Sequence, residues 1–211
     1  MRFDDAVTRL ASLPSRLPAP PAALMPVRVG ENAGRSWPGS AGTGRPAAVL
    51  VLIVPDDARE ARIVLIERTV GGRHHSGEIS FPGGRAEPAD ADLTATALRE
   101  AAEEIGLEPA AAGVRVVGTL EPFWIPVSNF MVTPILAIAS RRLRLVAAPD
   151  EVAGIVEAPL GAFLEGAPIE IVERTIDDWT IRYGAYVVEG LSVWGATARI
   201  LGQLGAILGS V

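Results

Sequence analysis

The sequence predicts an α+β layered fold, and three observations carry that prediction. Several apolar runs have strand length, one alanine-rich segment in the middle has helical periodicity, and strands flank that helix without regular strand–helix alternation. The chain has 211 residues, 49% apolar and 21% charged, which suits one ordinary domain carrying extensions.

The elements follow in order. Residues 3–12 are expected to form a short helix with Asp4 and Asp5 in its first turn. A Pro/Gly/Ser-rich linker is expected over about 14–46, so the domain boundaries are 1–45 for helix and linker and 46–211 for the main domain. "AAVLVLIVP" (47–55) is a continuous apolar run ended by Pro55-Asp56-Asp57, and "ARIVLIERT" (61–69) follows, so the two read as a buried hairpin. "GEISFPGG" (77–84) reads as a short strand and turn, and a helix over about 92–105 stops at Gly106. Residues 113–123 and 131–139 read as strands, 159–165 as helical, and 180–189 as another strand. The final segment, "LSVWGATARILGQLGAILGSV", places its large residues at helical spacing. Arg199 and Gln203 interrupt it, so it reads as a packed terminal helix rather than a membrane span.

Composition excludes several chemistries. With no cysteine there are no disulfides, no zinc–thiolate site and no thiol nucleophile, in keeping with a reducing cytoplasm, the expected location. All 19 cationic side chains are arginine, which removes lysine Schiff-base chemistry. Net charge is -6, which argues against nucleic acid as a partner. The N-terminus, with two early acids and early prolines, lacks the apolar core of a signal peptide.

The informative stretch is "FPGGRAEPADADLTATALREAAEEIGL" (81–107). Glu100, Glu103 and Glu104 stand at i, i+3 and i+4 and share a helical face, while Leu93, Ala97, Leu98, Ala101 and Ile105 mark the opposite, buried side. Each like-charge neighbour costs about 0.2–0.5 kcal/mol, and the helix C-terminus about 0.3–1 kcal/mol per nearby anion. Water can screen such a penalty, so an isolated "EAAEE" is compatible with a solvated acidic face. The strand, the double-glycine turn and the arginine before Glu100 favour another reading. Grouped carboxylate oxygens suit Mg²⁺ or Mn²⁺, which converts their repulsion into attraction.

Residues 84–107 resemble the Nudix box, G-x5-E-x7-R-E-U-x-E-E-x-G-U with U a bulky aliphatic. Arg99-Glu100, Glu103-Glu104, Gly106 and Leu107 match it. Asp90 replaces the first glutamate, Ala101 replaces the aliphatic, and Gly84 to Arg99 is one residue longer. The departures at 90 and in spacing are similar to the coenzyme A pyrophosphatase subgroup. Upstream, "VLIERTVGGRHHSGEISFPGG" (64–84) resembles that subgroup's signature through Arg68, Arg73, Gly77 and Phe81 to Gly84; His75 fits a frequent position too. "EPFWIPVSNFMVTPILA", "PDEVAGIVEAPL" and "WGATARIL" are similar to further segments of that family, so the resemblance covers roughly 46–205.

The resemblance implies a Nudix-type layered fold: a mixed β-sheet flanked by helices, with N- and C-terminal helical extensions. It implies Mg²⁺ or Mn²⁺ as cofactor, held by Glu100 and Glu104 with Glu103 and the Gly83 carbonyl. Arg99 is expected to pair with Asp90, and Gly84 and Gly106 to serve the turn and the helix stop. Glu103 is the preferred general base; Glu121 and Glu151 are the others. Arg68, Arg73 and His75 are the expected substrate contacts, within a basic rim that also includes Arg62, Arg85 and His74. Phe123, Trp124 and Phe130 are candidate stacking residues or core. The implied reaction is hydrolysis of coenzyme A or a derivative to 3′,5′-ADP and 4′-phosphopantetheine or its acyl form. ADP-ribose or another nucleoside diphosphate derivative is the alternative substrate class, and a non-catalytic binding module the alternative of another kind. A homodimer is expected, with 1–12 and 192–208 as candidate interface.

Overall fold

The computed structural model describes residues 1–30, 33, 44–69, 77–176 and 179–209. The chain opens on helix α1 (Phe3–Arg9), followed by a 3-10 turn at Ala22–Leu24 and strand β1 (Val27–Val29). Then come β2 (Arg45–Pro55), β3 (Ala61–Arg68), β4 (Ile79–Ser80), β5 (Gly83–Arg85) and helix α2 (Leu93–Ile105). A short helix α3 (Pro109–Ala112) leads to β6 (Val114–Thr119), β7 (Phe123–Ile125), β8 (Phe130–Ala139) and β9 (Val152–Pro159). After a 3-10 turn at Leu160–Phe163 the chain ends with β10 (Glu170–Ile176), β11 (Trp179–Val188), β12 (Leu191–Trp194) and helix α4 (Gly195–Gly209).

The larger sheet has the order β4-β3-β2-β8-β6, with β5 beside β2, β7 beside β8 and β9 beside β3. It is mixed: β2 runs parallel to β8 from Arg45↔Phe130 to Ile53↔Ile138, whereas β3, β5 and β6 pair antiparallel. Because β2 is buried on both faces, its sequence is continuously apolar rather than alternating. Leu50, Leu52 and Val54 pack on the α2 side; Val51 and Ile53 pack on the other, against residues of α1 and α4. The hairpin of β2 and β3 is present but pairs only at its base, from Ile53↔Ile63 to Pro55↔Ala61. Beyond that the strands part: β5 takes Ala47–Val49 and β9 takes the length of β3.

A second sheet, β1-β11-β10 with β12 on β11, departs from the predicted linker, since Val27–Val29 pairs with Thr180–Arg182. The segment predicted helical at 159–165 is a single 3-10 turn. Both apolar ends are spent on the chain's own core: Phe3, Ala6 and Leu10 at one end, Ile200, Leu201, Leu204 and Leu208 at the other. Among the described residues no helix is long and apolar enough to cross a membrane.

Candidate active site

Asp92 caps α2 by accepting the Ala95 N–H at 2.8 Å, and Gly106 ends it in the left-handed region at φ 62°. These caps fix which side chains meet the strand–turn Gly83–Arg85. Gly83 sits at φ +152°, and a Cβ there would lie 2.4 Å from the Ala48 carbonyl oxygen. A Cβ on Gly84 would lie 2.5 Å from the Glu100 carboxylate. Both glycines are thus required by close approach, one to β2 and the other to an acid of α2.

Glu104 is the central finding. Its side chain is 2% exposed, accepts the Gly83 N–H at 2.8 Å and lies 3.3 Å from the Arg68 guanidinium. Burial pushes its pKa up to about 7; the Gly83 amide and Arg68 oppose that rise, and the charges of Glu100 and Glu151 add to it. Glu100, 16% exposed, meets Arg99 at 3.0 Å, and burial raises its pKa too. The sequence reading placed all three glutamates on one helical face, opposite the buried side. Instead Glu104 belongs to the buried side of α2 with Ala97, Ala101 and Ile105, while Glu103 is 60% exposed and paired with Arg99 at 2.9 Å.

Arg99 ties the motif together. Its Nε and Nη2 donate to Asp90 at 2.9 and 3.1 Å, Nη2 also to the Arg85 carbonyl at 3.1 Å, and Nη1 reaches Glu100 and Glu103. Asp90 further accepts the Glu87 N–H and the Thr96 hydroxyl. These hydrogen bonds, Arg99's first, hold the Asp90 carboxyl well below the usual carboxylate range, and Asp90 in turn raises Arg99. The expected Asp90–Arg99 pair is therefore present, as the clasp between the loop and α2. The shorter aspartate stands where the glutamate of the general pattern was looked for.

Other residues separate from the site. Arg73, His74 and His75 lie outside the described residues. Arg62 is no part of a rim beside Glu104: it pairs with Asp56 at 3.0 Å and with Glu189. Glu121 is held by Gln203 of α4. Phe123 lies under Arg199 and Phe130 under Arg45, while the Trp124 indole donates to Asn129. Glu151, weighed lightly from sequence, acts electrostatically on both Glu100 and Glu104. No local pattern near residue 151 signals that proximity, which arises from the pairing of β9 with β3.

The donor set fits a divalent cation. Glu104 and Glu100 are hard oxygen donors whose burial outweighs the opposing Arg68 and Arg99, and glycine at 84 leaves room for the Glu100 carboxylate. Among the described residues no three acidic side chains converge tightly enough to enclose an ion.

Comparison with known proteins agrees. A profile of the NUDIX domain matches residues 44–171. The Uncharacterized Nudix hydrolase NudL of Citrobacter koseri is 38% identical over 172 residues, covering 78% of this chain and 83% of the relative. NudL of Salmonella paratyphi B is 36% identical over 170 residues with the same coverage. A crystal structure of a MutT/nudix family protein from Enterococcus faecalis shares the fold, with a TM-score of 0.50 at 16% identity over 81% of this chain and 63% of that one. With the box residues gathered around Glu104 and these matches spanning most of its length, the chain belongs to the Nudix hydrolases, enzymes of phosphoric anhydride hydrolysis that generally use divalent metal ions.

Proposed function

We propose that this Nudix hydrolase cleaves the diphosphate of coenzyme A or its derivatives, releasing 3′,5′-ADP and 4′-phosphopantetheine or its acyl form. The observation that supports the reading is the 3.3 Å approach of Arg68 to Glu104. Arg68 belongs to the upstream signature of the coenzyme A subgroup and Glu104 to the box. The two motifs therefore meet at one point, where an arginine 36% exposed can also present its guanidinium to phosphate oxygens.

Glu100 and Glu104 are the residues to hold Mg²⁺ or Mn²⁺, with Glu103 on the solvent side and the Gly83–Gly84 backbone as floor. A bound divalent cation supplies polarisation of a phosphoryl oxygen, an acidified water and neutralisation of the leaving phosphate. Arg68, joined by Arg73 and His75, orients the substrate anion; the Arg99–Asp90 clasp keeps Glu100 in place. A base is needed to take the proton of the attacking water. Glu103, engaged by Arg99, and Glu151, exposed and electrostatically linked to both buried glutamates, are the candidates for that role. The reading carries with it a cytoplasmic enzyme acting as a homodimer. Light scattering at 22 kDa alone would exclude the dimer.

The test is a panel of initial rates with Mg²⁺ and with Mn²⁺ on coenzyme A, acetyl-coenzyme A, ADP-ribose, NADH and nucleoside triphosphates. Coenzyme A or its acyl form is expected to give the highest kcat/KM. Preference for ADP-ribose, NADH or a triphosphate rejects the substrate assignment, and no turnover on any of them favours a binding module.

A further inference from the structure

We infer that the chain carries a second phosphate-binding site, formed by Arg141, Arg142 and Arg144 around a pocket beyond the C-terminal end of α2. The pocket has a volume of about 250 Å³, room for roughly eight water molecules. Its floor is aliphatic, with Leu107, Leu143 and Leu145 among its lining, and the three arginines stand at its rim with Glu108 as the one acid. Glu100 and Glu104 do not line it; they face Gly83 and Gly84 on the other side of α2's last turns.

Three observations make this more than a solvated run of charge. Arg142 is paired with Asp57, but Arg141 and Arg144 make no ion pair or hydrogen bond among the described residues. The two free guanidiniums sit within four residues of a third cation, on a chain whose net charge is -6. Unpaired like charges so close together repel unless an anion bridges them. Guanidinium forks match phosphate oxygens in pairs, which a single counterion such as chloride does not exploit. The aliphatic floor adds a surface for the apolar body of an organic phosphate, such as a nucleotide base.

The strap that carries these arginines continues directly to the candidate active site. The Val146 N–H donates to the Ile105 carbonyl at 3.0 Å and the Ala148 N–H to the Glu104 carbonyl at 2.9 Å. A ligand drawing Arg144 onto the pocket tightens the strap that holds the last turn of α2, so its presence is legible at those two amides without reference to catalysis.

The test is calorimetric titration of the full chain, metal-free in EDTA, with AMP and separately with inorganic tripolyphosphate. Arg141→Gln/Arg144→Gln is compared with Arg16→Gln/Arg174→Gln, which removes the same charge from exposed positions elsewhere. Wild type and the control pair are expected to bind, and the pocket pair to bind about tenfold more weakly for each arginine lost, with hydrogen exchange at residues 146 and 148 slowed by ligand only where it binds. AMP binding without tripolyphosphate binding marks the ligand as a nucleotide, and the reverse marks it as an inorganic chain. Equal binding by both variants, equal loss in both, or no binding of either probe by wild type overturns the inference.

Discussion

Replacing Gly84 by alanine separates the site from the fold. The new Cβ would stand 2.5 Å from the Glu100 carboxylate, and ordinary contact begins at 3.4 Å, so the carboxylate must retreat by about 0.9 Å. The displaced group is the end of a flexible side chain, and Gly84 carries no left-handed φ, so the cost to stability is expected to stay below about 1 kcal/mol. A catalytic group moved by that distance loses about 10²-fold in rate. Gly83→Ala is the contrasting case: its Cβ meets the Ala48 carbonyl at 2.4 Å and the Val49 Cα at 2.6 Å, at φ +152°. Backbone cannot swing aside, so a loss of about 2–4 kcal/mol is expected there. Urea unfolding measures stability and phosphate release with Mn²⁺ measures kcat/KM on the best substrate. Gly84→Ala with activity within threefold of wild type, or with stability lowered as far as Gly83→Ala, would show that the close approach of Gly84 does not position the Glu100 carboxylate for catalysis.

Two further predictions concern the buried charges. Glu104 titrates near 7 in the fold against an ordinary 4.5, so the folded state binds the proton more tightly and metal-free stability falls as pH rises from about 4.5 to 7. At 1.36 kcal/mol per pH unit the loss is about 3 kcal/mol, and Glu104→Gln should abolish it while removing turnover; a metal-free wild type whose stability is flat over that range contradicts the assignment. Arg99→Gln leaves Asp90 buried without its cation and releases the loop from α2. A destabilisation in denaturant is expected, with weakened Mn²⁺ binding by calorimetry, whereas an unaltered Mn²⁺ affinity argues that the clasp does not position Glu100.

The parts legible in the sequence were those set by local signals. Helix α2 follows from Asp92, Gly106 and the spacing of Ala97, Ala101 and Ile105, and the Asp90–Arg99 clasp follows from the box resemblance. The burial of Glu104 was not legible, because an acid in "EAAEE" reads as solvated. Its partners, the Gly83 amide and Arg68, reach it only through pairing of β5 with β2 and β4 with β3. Strands β1, β9, β10 and β12 escaped for related reasons. β1 and β12 are three and four residues long, and Gly154 and Glu157 break the apolar run of β9. β10 carries Glu170, Glu173 and Arg174 and takes its place by pairing with β11. The contribution of the N-terminal helix to the main core was hidden too, since Phe3 and Leu10 reach it across a Pro-rich stretch.

On the function proposed above, Glu100 and Glu104 hold a divalent cation against the Gly83–Gly84 turn. Anomalous diffraction from crystals soaked in Mn²⁺ with a diphosphate compound tests it directly. A peak at the Glu100 and Glu104 carboxylates is expected in wild type and its loss in Glu104→Gln; well-ordered crystals with no peak there, or a peak unaffected by the substitution, would rule out metal binding by these two acids.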